Sequence, residues 1–226
     1  RRLEGMTLSA ESQAQLKAMT AELVGLQNQI DALHVKQLPI MQHMLAILEG
    51  MGGDVKPRVL FASPVTGKVG DVFGGAWFAA VGYAEKYGLQ GHYHTGVDLN
   101  LPAFRDAGRP VYCAADGELV WYSACAGWQG KVACVKHVLE DGSLVWTRYA
   151  HINTVNGLMV GQHIAQGTAL GTIADYTPTG KPEGDHLHYD ISRKDLGQHP
   201  DDWPATSLAR VLADYVDPVK WHKARA

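Results

Sequence analysis

Apolar residues follow two different periods along the chain, and the change near residue 53 divides it. Between residues 9 and 52, Leu16, Met19, Leu23, Leu26, Ile30 and Leu33 recur at spacings of 3, 4, 3, 4 and 3. That mean period of about 3.5 is the seam of a helix packed along another helix, so the spacing predicts a coiled coil. The register continues through Gln37, Ile40, Met44, Ile47 and Met51. Gln37 sets a polar group on the seam, a device that fixes register or oligomer state. Pro39 lacks the N–H that a helix interior needs, so a kink or break is expected near Val35–Leu38. Ser9, with Glu11 and Ser12 behind it, supplies N-cap chemistry. Leu and Ile at both seam positions suit a homodimer or a homotrimer. The competing reading is a helical hairpin that buries its own seam.

The pattern then changes. Gly50-Met51-Gly52-Gly53-Asp54 closes the helix and Lys56-Pro57 makes a short linker. From Val59 onward short apolar runs alternate with turns. Strands are predicted at Arg109–Ala114, Glu118–Tyr122, Lys131–His137, Leu144–Ile152 and His186–Ile191. Asp116-Gly117, Gly127, Asp141-Gly142, Gly161 and Gly167 punctuate them. A last helix is expected from about Ser207 to Tyr215, before Asp217-Pro218. The fold class read from this is mainly β: a compact antiparallel β domain over residues 57–226, with a helical extension from about residue 200. An α-helical coiled-coil stalk and linker over residues 1–56 precedes it.

Composition narrows the picture only at the edges. Hydrophobic residues make up 46% of the 226 positions and charged residues 19%, as in ordinary soluble domains. The formal net charge of -3 supplies no strong field toward nucleic acid or an anionic membrane. No run of about 20 apolar residues is present, so no membrane span is expected. No apolar signal core follows Arg1-Arg2-Leu3-Glu4, and a cleaved signal, a fragment and another export route stay open. Cys113, Cys125 and Cys134 are an odd set without C-x-x-C spacing. They read as small buried hydrophobes, with a Cys125–Cys134 bridge across a hairpin as the alternative in an oxidising compartment.

The candidate chemistry lies in the histidines, of which there are 11. His94-Thr-Gly-Val-Asp98 sets an imidazole and a carboxylate four apart around a glycine. His186-Leu-His188 sets two imidazoles two apart in a strand-like run, where i and i+2 point to one face. His151 ends the run Trp-Thr-Arg-Tyr-Ala-His. A catalytic zinc takes three protein ligands in a tetrahedron and leaves the fourth position to water, and two histidines with one carboxylate meet that need. His92, two residues from His94, reads as a surface-loop residue, and His137 as structural. His34, His43, His163, His199 and His222 have no partners at ligand spacing and read as solvated or packing residues.

The order of these motifs resembles the lysostaphin-type, or LytM-type, zinc metallopeptidases, over roughly Phe61 to Ile191. Besides the histidine motifs, the resemblance rests on Ser63-Pro64-Val65-Thr66-Gly67, Phe73-Gly74, Pro110-Val111 and Ala114-Ala115-Asp116-Gly117. It continues in Val135-Lys136-His137, Tyr149-Ala150-His151, Val160-Gly161-Gln162 with Gly167, and Gly184-Asp185-His186-Leu187-His188-Tyr189. It implies one Zn2+ per chain on His94, Asp98 and His188, with His151 and His186 as the catalytic pair. It implies a peptidoglycan endopeptidase acting outside the cytoplasm at the cell wall, whether secreted, periplasmic or carried on a virion such as a phage tail. Other proteins of this kind are inactive activators of wall hydrolases, and a purely structural stalk is a third class. All five chemical residues stand here, which favours the enzyme. One departure is Asp185, where the family usually has proline; its acid could tune a histidine or meet a substrate amine. The apolar stretch Gly75–Gln90, with Trp77, Phe78, Tyr83 and Tyr87, reads as surface packing or as a wall of the groove.

Overall fold

The longest alternating runs of the sequence become the middle of one antiparallel sheet. In the computed structural model the described residues are 15, 18, 19, 22, 58–88, 90–103, 106–175 and 184–225. The chain divides into two compact units, Arg1–Val55 and Lys56–Ala226. Of the first unit, only Gln15, Ala18, Met19 and Glu22 are described, as helical and exposed. The rest of the heptad seam and the break near Val35–Leu38 lie outside the described residues.

The second unit carries β1 (Phe78–Val81), β2 (Lys86–Tyr87), β3 (His92–Tyr93), β4 (Val97–Asn100), β5 (Pro110–Tyr112) and β6 (Gly117–Ala124). It continues with β7 (Lys131–Val138), β8 (Leu144–Thr154), β9 (His163–Ile164), β10 (Ala169–Ile173), β11 (Leu187–Ser192) and β12 (Tyr215–Val216). The main sheet runs β1-β4-β11-β8-β7-β6-β9, with β12 beside β11 and β10 bridging β8 to β5. All five predicted strands are present within two or three residues of their expected ends, as β5, β6, β7, β8 and β11.

Because successive strand residues face opposite ways, the two faces of β8 and β11 build different structures. Tyr149, Leu187, Tyr189 and Ile191 join Phe61, Leu99, Val135 and Leu170 in the larger apolar core. Each fully buried Leu, Ile or Phe there contributes about 1.5–3 kcal/mol relative to exposure. On the other face Val132, Cys134, Trp146, Ala150 and Leu196 form a smaller cluster, and the charged and imidazole side chains stand beside it. Cys134 lies opposite Trp121 rather than Cys125, and all three thiols are free.

Two short helices follow among the described residues. Ser207 caps α1 (Leu208–Asp214) and Asp217 caps α2 (Pro218–Ala224), with Pro218 at the helix start where its missing N–H costs nothing. The sequence predicts one helix over Ser207–Tyr215. Asp217-Pro218, expected as a stop, begins a second helix instead. Between the two, β12 pairs Tyr215 with Ser192 and Val216 with Ile191, which locks this segment to the central strand β11.

His137 is fully buried and structural, as expected. Nδ1–H donates to the Asp116 carbonyl at 2.8 Å, and Nε2 stands 2.8 Å from the Thr147 hydroxyl. Burial pushes its pKa down to about 4. The unfolded chain therefore takes up this proton first as pH falls, so the stabilisation is complete above about pH 6.5 and is lost toward pH 4. His137→Phe should cost about 2–4 kcal/mol at pH 7.5 by stranding Asp116 O and Thr147 Oγ1. The gap between parent and variant in urea unfolding should then narrow by up to about 3 kcal/mol between pH 6.5 and 4. A gap independent of pH would show that the imidazole titrates normally in the fold.

Candidate metal centre

Strand register assembles the candidate centre. In β11, His188 pairs with Asp98 of β4 on one side and with Ala150 of β8 on the other. His94 lies just before β4 and reaches the same point. His94 Nε2 stands 3.0 Å from Asp98 Oδ1 and 2.9 Å from His188 Nδ1, and His188 Nδ1 stands 3.1 Å from Asp98 Oδ1. All three side chains are buried. The approach needs Gly96: a methyl there would overlap the Tyr189 carbonyl oxygen and the Asp190 backbone. The glycine of His94-Thr-Gly-Val-Asp98 thus lets this segment lie against β11 closely enough to share the site.

Hydrogen bonds to the other ring nitrogens fix the tautomers. His94 Nδ1 faces the Gly82 carbonyl at 3.3 Å. His188 Nε2 faces Asp190 Oδ2 at 3.0 Å. With His94 Nδ1–H and His188 Nε2–H directed to those acceptors, the facing atoms of the triangle are two imidazole lone pairs and a carboxylate oxygen, a set that suits a cation. Ligands at tetrahedral corners around zinc stand about 3.3 Å apart at usual Zn–N and Zn–O lengths, so these residues fit one ion. His94, Asp98 and His188 form a group able to hold a metal. Burial alone would raise the Asp98 carboxyl, but His94, His188 and His186 outweigh it and hold the group well below the usual carboxylate range.

Beside the triangle stand His186 and His151, with ring centroids 4.5 Å apart. His186 Nε2 lies 3.6 Å from Asp98 Oδ1. His186 Nδ1–H donates to the Gly184 carbonyl at 2.7 Å and His151 Nδ1–H to that of Gln129 at 2.8 Å, so Nε2 is the basic nitrogen of both rings. By strict alternation His151 would face away from the site. Instead β7 and β8 shift register at Lys131/Val132, opposite Ala150 and Ile152, and His151 takes a left-handed φ of 64°. That local bulge turns the ring into the groove. Burial, then the charges of His186 and His188, lower the His151 pKa to about 3. The structure therefore brings all five sequence-predicted residues together.

It also adds residues the motif reading passed over. Asp190 Oδ2 accepts from His188, from Thr95 Oγ1 at 2.7 Å and from Arg148 Nε at 3.2 Å. Arg148 and Asp190 are a fully buried ion pair. Burial would raise the Asp190 carboxyl, but Arg148 and His188 outweigh it and hold it below the usual range. The parity of 186, 188 and 190 in one strand was the available signal. Trp128 lies 4.8 Å from His188, and Tyr87 meets His94 edge-on at 5.1 Å. Tyr87 of the Gly75–Gln90 stretch thus packs against a histidine of the triangle. His92 belongs to β3 and packs on Trp203. Asp185 is buried, and its carbonyl accepts from Asn100 Nδ2 at 3.0 Å.

The middle strands of the antiparallel sheet thus carry an imidazole-carboxylate triangle able to hold a metal, with two further histidines beside it. Residues 92–200 match peptidase family M23, so this part of the chain carries a LytM-type peptidase domain. The catalytic domain of lysostaphin from Staphylococcus simulans is similar at 21% identity and a TM-score of 0.47, over 65% of this chain and 92% of that one. A variant catalytic domain of the prophage-encoded M23 protein EnpA from Enterococcus faecalis is similar at 22% identity and 0.45, over 66% and 95%. Csd3 from Helicobacter pylori is similar at 21% identity and 0.41, over 59% and 31%. The chain thus spans about a third of Csd3, and it spans 51% of whole lysostaphin. No curated protein matches the chain.

Gly96→Ala should destabilise the fold by about 1–3 kcal/mol through overpacking against β11. It should also lower zinc stoichiometry, read by urea unfolding with a parallel metal assay. A variant as stable and as zinc-replete as the parent would mean that the close approach has no role.

Proposed function

We propose that this protein is a zinc-dependent endopeptidase that hydrolyses peptide bonds of bacterial peptidoglycan, in the stem peptide or the cross-bridge. The observation that carries the reading is the meeting of His94 Nε2, His188 Nδ1 and Asp98 Oδ1 within 3.1 Å of one another. The match of residues 92–200 to family M23 supports the peptidase class, and the motif resemblance supports the cell-wall substrate. In this reading His94, Asp98 and His188 hold one Zn2+. The nitrogen-rich donor set suits zinc better than magnesium or calcium. When bound, the ion would polarise a peptide carbonyl and lower the pKa of its water toward about 7.

His151 and His186 then serve as the acid–base pair. Both offer Nε2 toward the groove, and each is oriented by a backbone carbonyl. One receives the proton of the attacking water, and the pair delivers it to the departing amine as the C–N bond breaks. The depressed pKa of His151 keeps that ring neutral well into the acid range. Residues 57–226 form the peptidase unit in this reading. Residues 1–56 form a coiled-coil stalk that joins two or three copies and presents the groove to the wall, on a cell surface or a phage tail. Among the described residues no helix is long and apolar enough to cross a membrane.

His188→Ala should lose bound zinc and activity together. His186→Ala and His151→Ala should keep most of the metal and lose about 10²–10⁴-fold in rate. Full zinc stoichiometry without His188 would refute the ligand assignment. Activity should also fall as pH drops, because protons compete with the metal for the ligand imidazoles. Added zinc should partly restore the acid limb of the profile, and a limb indifferent to zinc would count against this cause. Digestion of purified peptidoglycans of several cross-bridge types, with and without chelator, tests the substrate by mass spectrometry. New peptide amine ends that vanish with chelator are expected, and cleaved sugars alone would sink the reading.

A further inference from the structure

Residues 201–225 lie beyond the family match, yet contacts from this segment reach both histidines of the triangle. Arg148 Nη1 donates to the carbonyls of Pro200 at 3.0 Å and Asp202 at 2.8 Å. Tyr215 Oη, itself donating to the Asp202 carbonyl at 2.7 Å, lies 3.4 Å from Arg148 Nη2. Through its ion pair, Arg148 holds Asp190, and Asp190 holds His188. The guanidinium also lies 4.5 Å from the Trp128 ring. A row of rings continues from there: Trp128 to Trp203 at 5.4 Å and 38°, then Trp203 to Tyr87 at 6.3 Å and 31°. The row meets His188 at Trp128 and His94 at Tyr87. The segment also grips the backbone beside His94, since Tyr93 N donates to the Ala205 carbonyl at 2.7 Å.

We propose that the segment Pro200–Tyr215 is part of the metal centre, with Trp203 and Arg148 as positioning residues that set zinc affinity by holding His94 and His188 in place. The reason is mechanical and electrostatic. A ring free to swing must be immobilised when the ion binds, and that ordering subtracts from affinity. Here one side of each ring is packed by an aromatic neighbour, Trp128 on His188 and Tyr87 on His94. The buried Arg148 has Asp190 as its carboxylate partner and two backbone carbonyls that only this segment supplies. Without those carbonyls, guanidinium N–H groups would lose buried partners, and the Asp190 orientation that selects Nδ1 of His188 for the ion would loosen.

This inference rests on the zinc reading, and its test separates the two. Zn2+ affinity of the whole chain is measured by competition with a chromophoric chelator for the parent, Trp203→Leu and Trp203→Phe. Far-UV circular dichroism checks folding, and the Co2+ ligand-field spectrum reports site geometry. Trp203→Leu fills most of the space but removes the ring. It should weaken zinc about 10–100-fold and alter the cobalt spectrum, while Trp203→Phe recovers most of both. A folded Trp203→Leu with parental zinc affinity and cobalt spectrum overturns the proposal while leaving the zinc reading intact. A parent chain that binds no zinc overturns both. If Trp203→Leu fails to fold, Trp128→Leu breaks the same row at the turn after β6, with the same loss expected and the same parental affinity overturning it.

Discussion

The pairing of β4 with β11 is the constraint from which the rest of the site follows. Asp98 and His188 meet because their strands are in register, and a slip of one residue would turn each side chain to the opposite face. The apolar face pins that register: Leu99, Leu187, Tyr189 and Ile191 alternate with the site residues and are all buried. A one-residue slip would take them out of this core, at about 1.5–3 kcal/mol for each large aliphatic side chain. The hydrophobic core thus does for the site what the ligands cannot do alone. It brings three potential ligand atoms within about 3 Å of one another.

A second requirement is that each ring present the right nitrogen. His94 and His188 offer different atoms, Nε2 and Nδ1, and different partners impose the difference: a loop carbonyl for one, a strand carboxylate for the other. Asp190 can act as an acceptor inside the protein only if it stays charged. A lone buried carboxylate would take up a proton instead. Arg148 prevents this, at the cost of burying a guanidinium that must itself be satisfied. The chain of dependence runs outward from His188 to Asp190, to Arg148, and to the backbone of residues 200–202. Buried polar groups without partners are costly, and the network extends away from the triangle to supply them at Asp190 Oδ2 and Arg148, while Asp190 Oδ1 has no hydrogen-bond partner among the described residues.

How much of this could be read in advance follows from sequence distance. The five strand runs and the paired faces of His186 and His188 were legible because they are local, set by a period of two over a few residues. His94 and Asp98 were legible as a motif, and the resemblance tied them to His188 and to the pair His151 and His186. Asp190 shared the parity of its neighbours but carried no motif. Arg148 sat inside a predicted strand with nothing to mark a buried charge. Trp128 and Trp203 are separated by 75 positions and meet only through tertiary packing. The helix expected over Ser207–Tyr215 shows the same limit: local signals gave its start at Ser207, whereas its end is set by pairing of Tyr215 and Val216 with β11.

His151 shows why the regular sheet alone could not make the site. Its neighbours Ala150 and Ile152 keep their cross-strand partners, and a residue between them in ordinary β geometry would point into the opposite layer. The left-handed backbone at this position carries a cost of order 1–3 kcal/mol for a residue that is not glycine. The flanking ladder to β7 and β10 supplies enough hydrogen bonds to hold it. The bond from Nδ1 to Gln129 then fixes the ring after the backbone has turned it. Strain maintained by surrounding structure, at a position where alternation would give the wrong face, is best explained by what the side chain does there. The ring stands 4.5 Å from His186, the separation that the proposed acid–base pair relies on.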